Sequence, residues 1–298
     1  MRHVHFALPV VLAVALSVAP QTRAGPALEQ RVDAAVRMLA SEPRFKGATE
    51  QERRERIEFV AGNVLFALVH EVGHMLIAEM GLPVLGREED AADAFATITG
   101  LKMGDAFSTR VLIASARGWF LSDKRNQKEN IQMVYYDEHG LDRQRAYNIV
   151  CLMVGSNPEK FDQLAEMTQL PPERRSTCQG DYSNASWSWE KALAPHIRKE
   201  GQPKTAISVS YQDSEEFELF ARGFKNLRIL EEVAEHLSDR YVWRRPVALE
   251  MTSCNEPAAR WDLSLQKIIV CYELAADFAR LYRDYARAQD PVANKLSP

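Results

Sequence analysis

The apolar positions of this chain keep a helical period through roughly its first two-thirds and a strand period only later. Residues 26–40 read as a helix, followed by a short loop around Pro43 and Gly47. Residues 50–80 read as one long helix with a charged start and an apolar end. Further helices are predicted at about 88–101, 105–121, 127–135, 142–154 and 184–198. The composition shifts at Lys199-Glu200-Gly201-Gln202-Pro203, and beyond it residues 206–211 alternate as a strand. Residues 214–241 are predicted helical, with a break near Gly223. Residues 247–254 and 265–271 read as a strand pair, and residues 273–287 as a last helix. The fold class this implies is α+β, a mainly helical part followed by a small sheet with flanking helices.

Within the apolar half of the long helix stands His70-Glu71-Val72-Gly73-His74. Two histidines four apart project from one helix face and can hold one Zn²⁺. Glu71 lies beside them, where a carboxylate can act as general base toward a water that the metal activates. A catalytic zinc needs a third protein ligand and an open fourth position. A metzincin would supply a histidine at 80 after a glycine at 77. Met80 and Ile77 stand there, which excludes that class.

Gly81-Leu82-Pro83 ends the helix, and helical spacing resumes at 88. Glu89 is the natural third ligand, because Asp93 shares its face at i+4 and can accept the other ring N–H of a ligand histidine. Glu88 and Asp90 are neighbours that also fit the ligand role, or simply charge the first turn of a helix. A zinc hydrolase further needs a group that stabilises an oxyanion. His139, in the polar stretch Tyr135-Tyr136-Asp137-Glu138-His139-Gly140, is the best candidate. It equally fits a surface position ahead of the helix that starts near Asp142.

The HExxH…ExxAD layout resembles the gluzincin metallopeptidases. More closely, the chain resembles the bacterial family DUF4344, through HEVGHMLIAEMGLPVLGREEDAADAFA at 70–96, YYDEHGLDRQRAYNIVCLMVGSNPEKF at 135–161 and IIVCYEL at 268–274. The resemblance implies a zincin-like fold, His70, His74 and Glu89 as zinc ligands, and Glu71 as catalytic base. It names no substrate. Gluzincins often carry Asn-Ala-x-aromatic near a sheet edge. Residues 258–261 are Ala-Ala-Arg-Trp, so Ala259 and Trp261 fit that pattern and the asparagine is missing. Most zincins also place their sheet before the metal helix, whereas the strands read here follow it.

The chain ends and composition bound the setting. Residues 1–24 have a basic start, a short apolar run and a small-residue exit, the pattern of a secretory signal peptide. Its removal, with Arg2 and Arg23, takes the net charge from −4 to −6. Such a chain has no electrostatic reason to seek nucleic acid or anionic lipid. Residues 25–298 are expected to form a single domain, with a helical metal-site lobe at about 25–200 and an α+β lobe at about 201–290. The four cysteines, Cys151, Cys178, Cys254 and Cys271, suit two disulfides in an exported chain. The local pairing Cys151–Cys178 and Cys254–Cys271 is favoured, and no CxxC spacing suggests a thiolate metal site. The function expected is a periplasmic or secreted zinc metallopeptidase holding one Zn²⁺ per chain, acting on a peptide or protein substrate and not inserted stably in a membrane. The rival reading is an inactive zincin-type envelope protein that serves as a binding module.

Overall fold

The computed structural model describes residues 25–286, so the signal-peptide reading of 1–24 lies outside the described residues. Among the described residues the chain is mostly helical, with one small mixed sheet, and is α+β. Helix α1 spans Gly25–Ala40. The long helix α2 spans Glu50–Met80. A capping box starts it: Thr49 accepts from the Glu52 N–H, and the Glu52 carboxylate accepts from the Thr49 N–H. Gly81 stops it in the left-handed region at φ +63° and returns its N–H to the Ile77 carbonyl. α2 is long and apolar enough to cross a bilayer, but 78% of that apolar stretch is buried inside the protein, as befits a central core helix.

The helices that follow are α3 (Glu88–Met103), α4 (Ala106–Lys128), α5 (Asp142–Ser156), α6 (Pro158–Met167) and α7 (Pro172–Leu193). Two sequence expectations fail here. The helix predicted at 127–135 does not form. α4 instead runs unbroken to Lys128, and Asn130 at φ +54° turns the chain into a loop over 129–141. Ile131, Met133 and Val134 have helix-like spacing, yet all three are exposed and bury nothing that would hold a helix. The helix predicted at 184–198 begins much earlier. Pro172 occupies its first position, where a missing N–H costs nothing.

After α7 come β1 (Ser208–Tyr211), α8 (Glu218–Leu227), α9 (Ile229–Arg240), β2 (Ala248–Thr252), β3 (Ala259–Asp262), β4 (Lys267–Cys271) and α10 (Tyr272–Leu281). The predicted 214–241 helix breaks at Arg228, with φ +56°, and not at Gly223. The strand order is β1-β2-β4-β3. β1 and β2 run parallel, as do β2 and β4, and β3 lies antiparallel on the outer side of β4. The expected strand pair is therefore the parallel pair β2–β4, and β3 is an edge strand that its polar residues hide from a sequence reading.

One apolar core joins α1, α2 and α8–α10 to the sheet, centred on Leu68, Met75, Leu76, Leu249, Ile268 and Val270. A second fills the space between α4, α5, α6 and α7. Two disulfides close on them. Cys151–Cys178 ties α5 to α7, and Cys254–Cys271 ties the loop after β2 to the end of β4. Gly155 permits the first, because a Cβ there would lie 2.1 Å from the Cys178 carbonyl oxygen.

Candidate metal centre

The site forms where α3 crosses α2. Gly73, inside the histidine motif, lets the two backbones meet. A Cβ at that position would sit 3.0 Å from Ala92 Cα, and Ala92 is fully buried. This close approach brings the start of α3 over His70 and His74.

Nε2 of His70 lies 3.1 Å from Nε2 of His74. Glu89 Oε2 lies 3.0 Å from the first nitrogen and 3.4 Å from the second. Nδ1 of His70 donates to Asp93 Oδ1 at 2.8 Å, and Nδ1 of His74 donates to Glu88 Oε1 at 2.8 Å. A carboxylate can only accept, so the neutral rings carry their protons on Nδ1 and turn Nε2 lone pairs toward one point. Two bare lone pairs and a carboxylate oxygen facing one another at such distances repel unless a cation sits among them. The donor set therefore fits a divalent metal such as zinc. Of the three acidic residues at the start of α3, Glu89 reaches the shared point, Glu88 orients His74, and Asp90 pairs with Arg87 at the surface.

Without a metal, protons would take its place. Burial opposes a charge on His74, but hydrogen bonds with Glu89 and Glu88 outweigh it and raise the pKa to about 9. His70 is likewise raised: burial acts against the charge, and Asp93 and Glu89 outweigh it. Burial also acts against the Glu89 carboxylate, yet its hydrogen bonds to His139, His70 and His74 hold it far below the usual range.

Asp93 is buried and is gripped on its other side by Arg145 of α5. Nε donates to Oδ2 and Nη2 to Oδ1, both at 2.7 Å. The Arg145 guanidinium lies 3.8 Å from the Trp119 ring centroid. Burial works against the Asp93 charge, but Arg145 and His70 overcome it and depress the pKa to about 2. The result is a line from half-buried Trp119 through buried Arg145 and Asp93 to His70 that fixes the ring of His70.

Glu71 is only 9% exposed, and its Oε2 accepts the main-chain N–H of Trp261 in β3 at 2.7 Å. Burial raises its pKa against the pull of His70, His74 and that N–H. His139 comes from the 129–141 loop, and its Nε2 lies 2.9 Å from Glu89 Oε2. The structure thus brings together His70, Glu71, His74, Glu89, Asp93 and His139. Sequence reasoning missed Arg145, Trp119 and the Trp261 N–H. A main-chain donor leaves no mark on residue type, and Arg145 reaches Asp93 across 52 positions. Cys254 and Cys271 lie near Glu273, but their sulfurs are joined to each other and cannot ligate.

A helix pair that turns two histidines and a carboxylate to one point, with a second carboxylate beside them, is a candidate metal site. The chain belongs to the family DUF4344, whose sequence model carries the description "Putative metallopeptidase" and matches residues 29–193. No curated protein and no solved structure shows significant similarity to it.

Proposed function

We propose that the protein is an exported, zinc-dependent hydrolase of peptide bonds with a zincin-like centre, in which His70, His74 and Glu89 hold the metal and Glu71 is the general base. The observation that carries this reading is the convergence of two Nε2 lone pairs and the Glu89 oxygen, with both Nδ1–H groups already committed to carboxylates. When bound, Zn²⁺ would polarise a substrate carbonyl and make a water acidic enough to attack it. Glu71 takes up the proton of that water and returns it to the departing amine. Trp261 holds the Glu71 carboxylate in place for both steps. Asp93 and Arg145 keep the His70 ring from rotating.

Strand β3 supplies a place for the substrate backbone. The N–H of Trp261 points off the open edge toward Glu71, and alternation along a strand turns the main-chain groups of Ala259 to the same edge. An extended peptide can pair there through main-chain bonds, which need no asparagine side chain. A pure binding module has no use for a buried carboxylate beside the histidines, since burying Glu71 is costly and gives such a module nothing.

The test is metal analysis of the purified mature chain, paired with cleavage of a diverse peptide pool. The expected result is about one zinc per chain, with cleavage abolished by chelation and restored by zinc. A His74→Ala protein that keeps full zinc occupancy would overturn the assignment.

A further inference from the structure

We propose that His139 is a fourth protein ligand of this metal, so that the resting centre is closed by three imidazoles and one carboxylate and the 129–141 loop must withdraw before substrate can enter. The inference rests on the metal-centre reading above and concerns how that centre is regulated.

The argument is the pattern of ring nitrogens. In His70 and His74, Nδ1 is held by a carboxylate and Nε2 faces the shared point. His139 repeats this arrangement on a different element. Its Nδ1 lies 3.2 Å from Asp137 Oδ1, and its Nε2 lies 2.9 Å from the same Glu89 oxygen that meets the other two rings. A ligand histidine characteristically donates its second N–H to a carboxylate. An oxyanion-stabilising histidine needs its proton on the nitrogen that faces the site. The Asp137 contact favours the opposite tautomer, and so favours a ligand over an oxyanion donor.

The spacings agree. Tetrahedral zinc with bonds of roughly 2.0–2.1 Å sets its ligand atoms about 3.3 Å apart. Of the six pairs among the four donor atoms, four measure 2.9, 3.0, 3.1 and 3.4 Å. Donor atoms of His70, Glu89 and His139 all lie within 4.8 Å of one another.

The fourth ligand differs from the others in how it is held. His70 is 4% exposed on a core helix, whereas the His139 side chain is 46% exposed on a loop. Asp137, its support, is also exposed, and the same residue accepts the main-chain N–H of His139 at 2.9 Å. Withdrawing His139 therefore breaks no part of the core. Four protein ligands leave no room for water, whereas a catalytic zinc needs an open position. The loop thus acts as a gate on the centre.

X-ray absorption of the zinc-loaded protein counts imidazoles, and chelator competition gives zinc affinity. The wild type should show three imidazoles and His139→Ala two. Zinc should bind His139→Ala more weakly by on the order of 100-fold, and free imidazole should restore the third ligand. Asp137→Asn, which keeps the ring and loosens its support, should weaken zinc by about tenfold. Two imidazoles in the wild type, with zinc affinity unchanged in His139→Ala, would overturn the proposal. His74→Ala separates the two readings. If it loses zinc while His139→Ala changes nothing, only the fourth ligand is wrong. If it retains zinc, the metal centre itself is misplaced.

Discussion

The main-chain N–H of Trp261 donates to Oε2 of Glu71 at 2.7 Å, across 190 positions of sequence. Because that N–H points off the edge of β3, removing it leaves the pairing with β4 untouched. Proline is tolerated on such an edge. Trp261→Pro should therefore keep zinc content and lower turnover by about 10- to 100-fold, the scale of one hydrogen bond to a charged group. The indole Nε1 is buried with no hydrogen-bond partner, so Trp261→Phe should change turnover little. Equal losses in the two variants would show that the side chain matters and the N–H does not.

Arg145→Met should be among the most damaging substitutions in the helical half. It leaves the Asp93 carboxylate buried with its strongest partner gone, a change that typically costs about 3–5 kcal/mol. Urea unfolding should show the loss, and zinc affinity should fall by about 10- to 100-fold through the freed His70 ring. Adding Asp93→Asn to Arg145→Met should recover part of the stability. A double variant no more stable than Arg145→Met alone would refute the buried pairing as the cause.

Metal-free and zinc-loaded protein should respond to pH in opposite senses. Without metal, His74 is raised from 6.5 to about 9. Its contribution is complete below pH 6.5 and is lost as pH rises through 9. The metal-free protein should thus lose on the order of 1–3 kcal/mol over that window. With zinc, the imidazoles must be neutral, so stability should instead fall as pH drops. Calorimetry with chelator and with excess zinc makes the comparison, and a flat metal-free curve would count against the His74 contacts.

The two disulfides should differ in their effect on activity. Cys254–Cys271 closes a 17-residue separation that contains β3, and Cys151–Cys178 closes 27 residues within the α5–α7 layer. Loop closure alone assigns each about 3 kcal/mol. The Cys254→Ser/Cys271→Ser pair should also depress turnover, because it frees the strand that holds Glu71. The Cys151→Ser/Cys178→Ser pair should reduce stability alone. Comparing turnover at a temperature where both variants are folded decides the point.

What the sequence made legible follows the range of each interaction. Helix α2 could be read because its apolar run meets no proline before Pro83, and Glu89 with Asp93 could be read because i and i+4 share a face. Residues 129–135 were misread as helix because Ile131, Met133 and Val134 are apolar, although what decides helicity is whether such residues find a core. β3 has no readable strand period, because Ala259–Asp262 carries two charges in four residues and becomes a strand only by pairing with β4, and only the resemblance of 258–261 pointed to a sheet edge there. The Arg145–Asp93 clamp is invisible before folding, since neither residue is unusual until burial removes water from both.

The order of the chain has a consequence for its own synthesis. The residues proposed to hold the metal, from His70 to His139, all precede β3 in the chain, and the family match ends at 193. A ribosome therefore completes this set more than a hundred residues before it adds Trp261. A chain interrupted in that interval carries the proposed metal ligands without the contact that steadies Glu71.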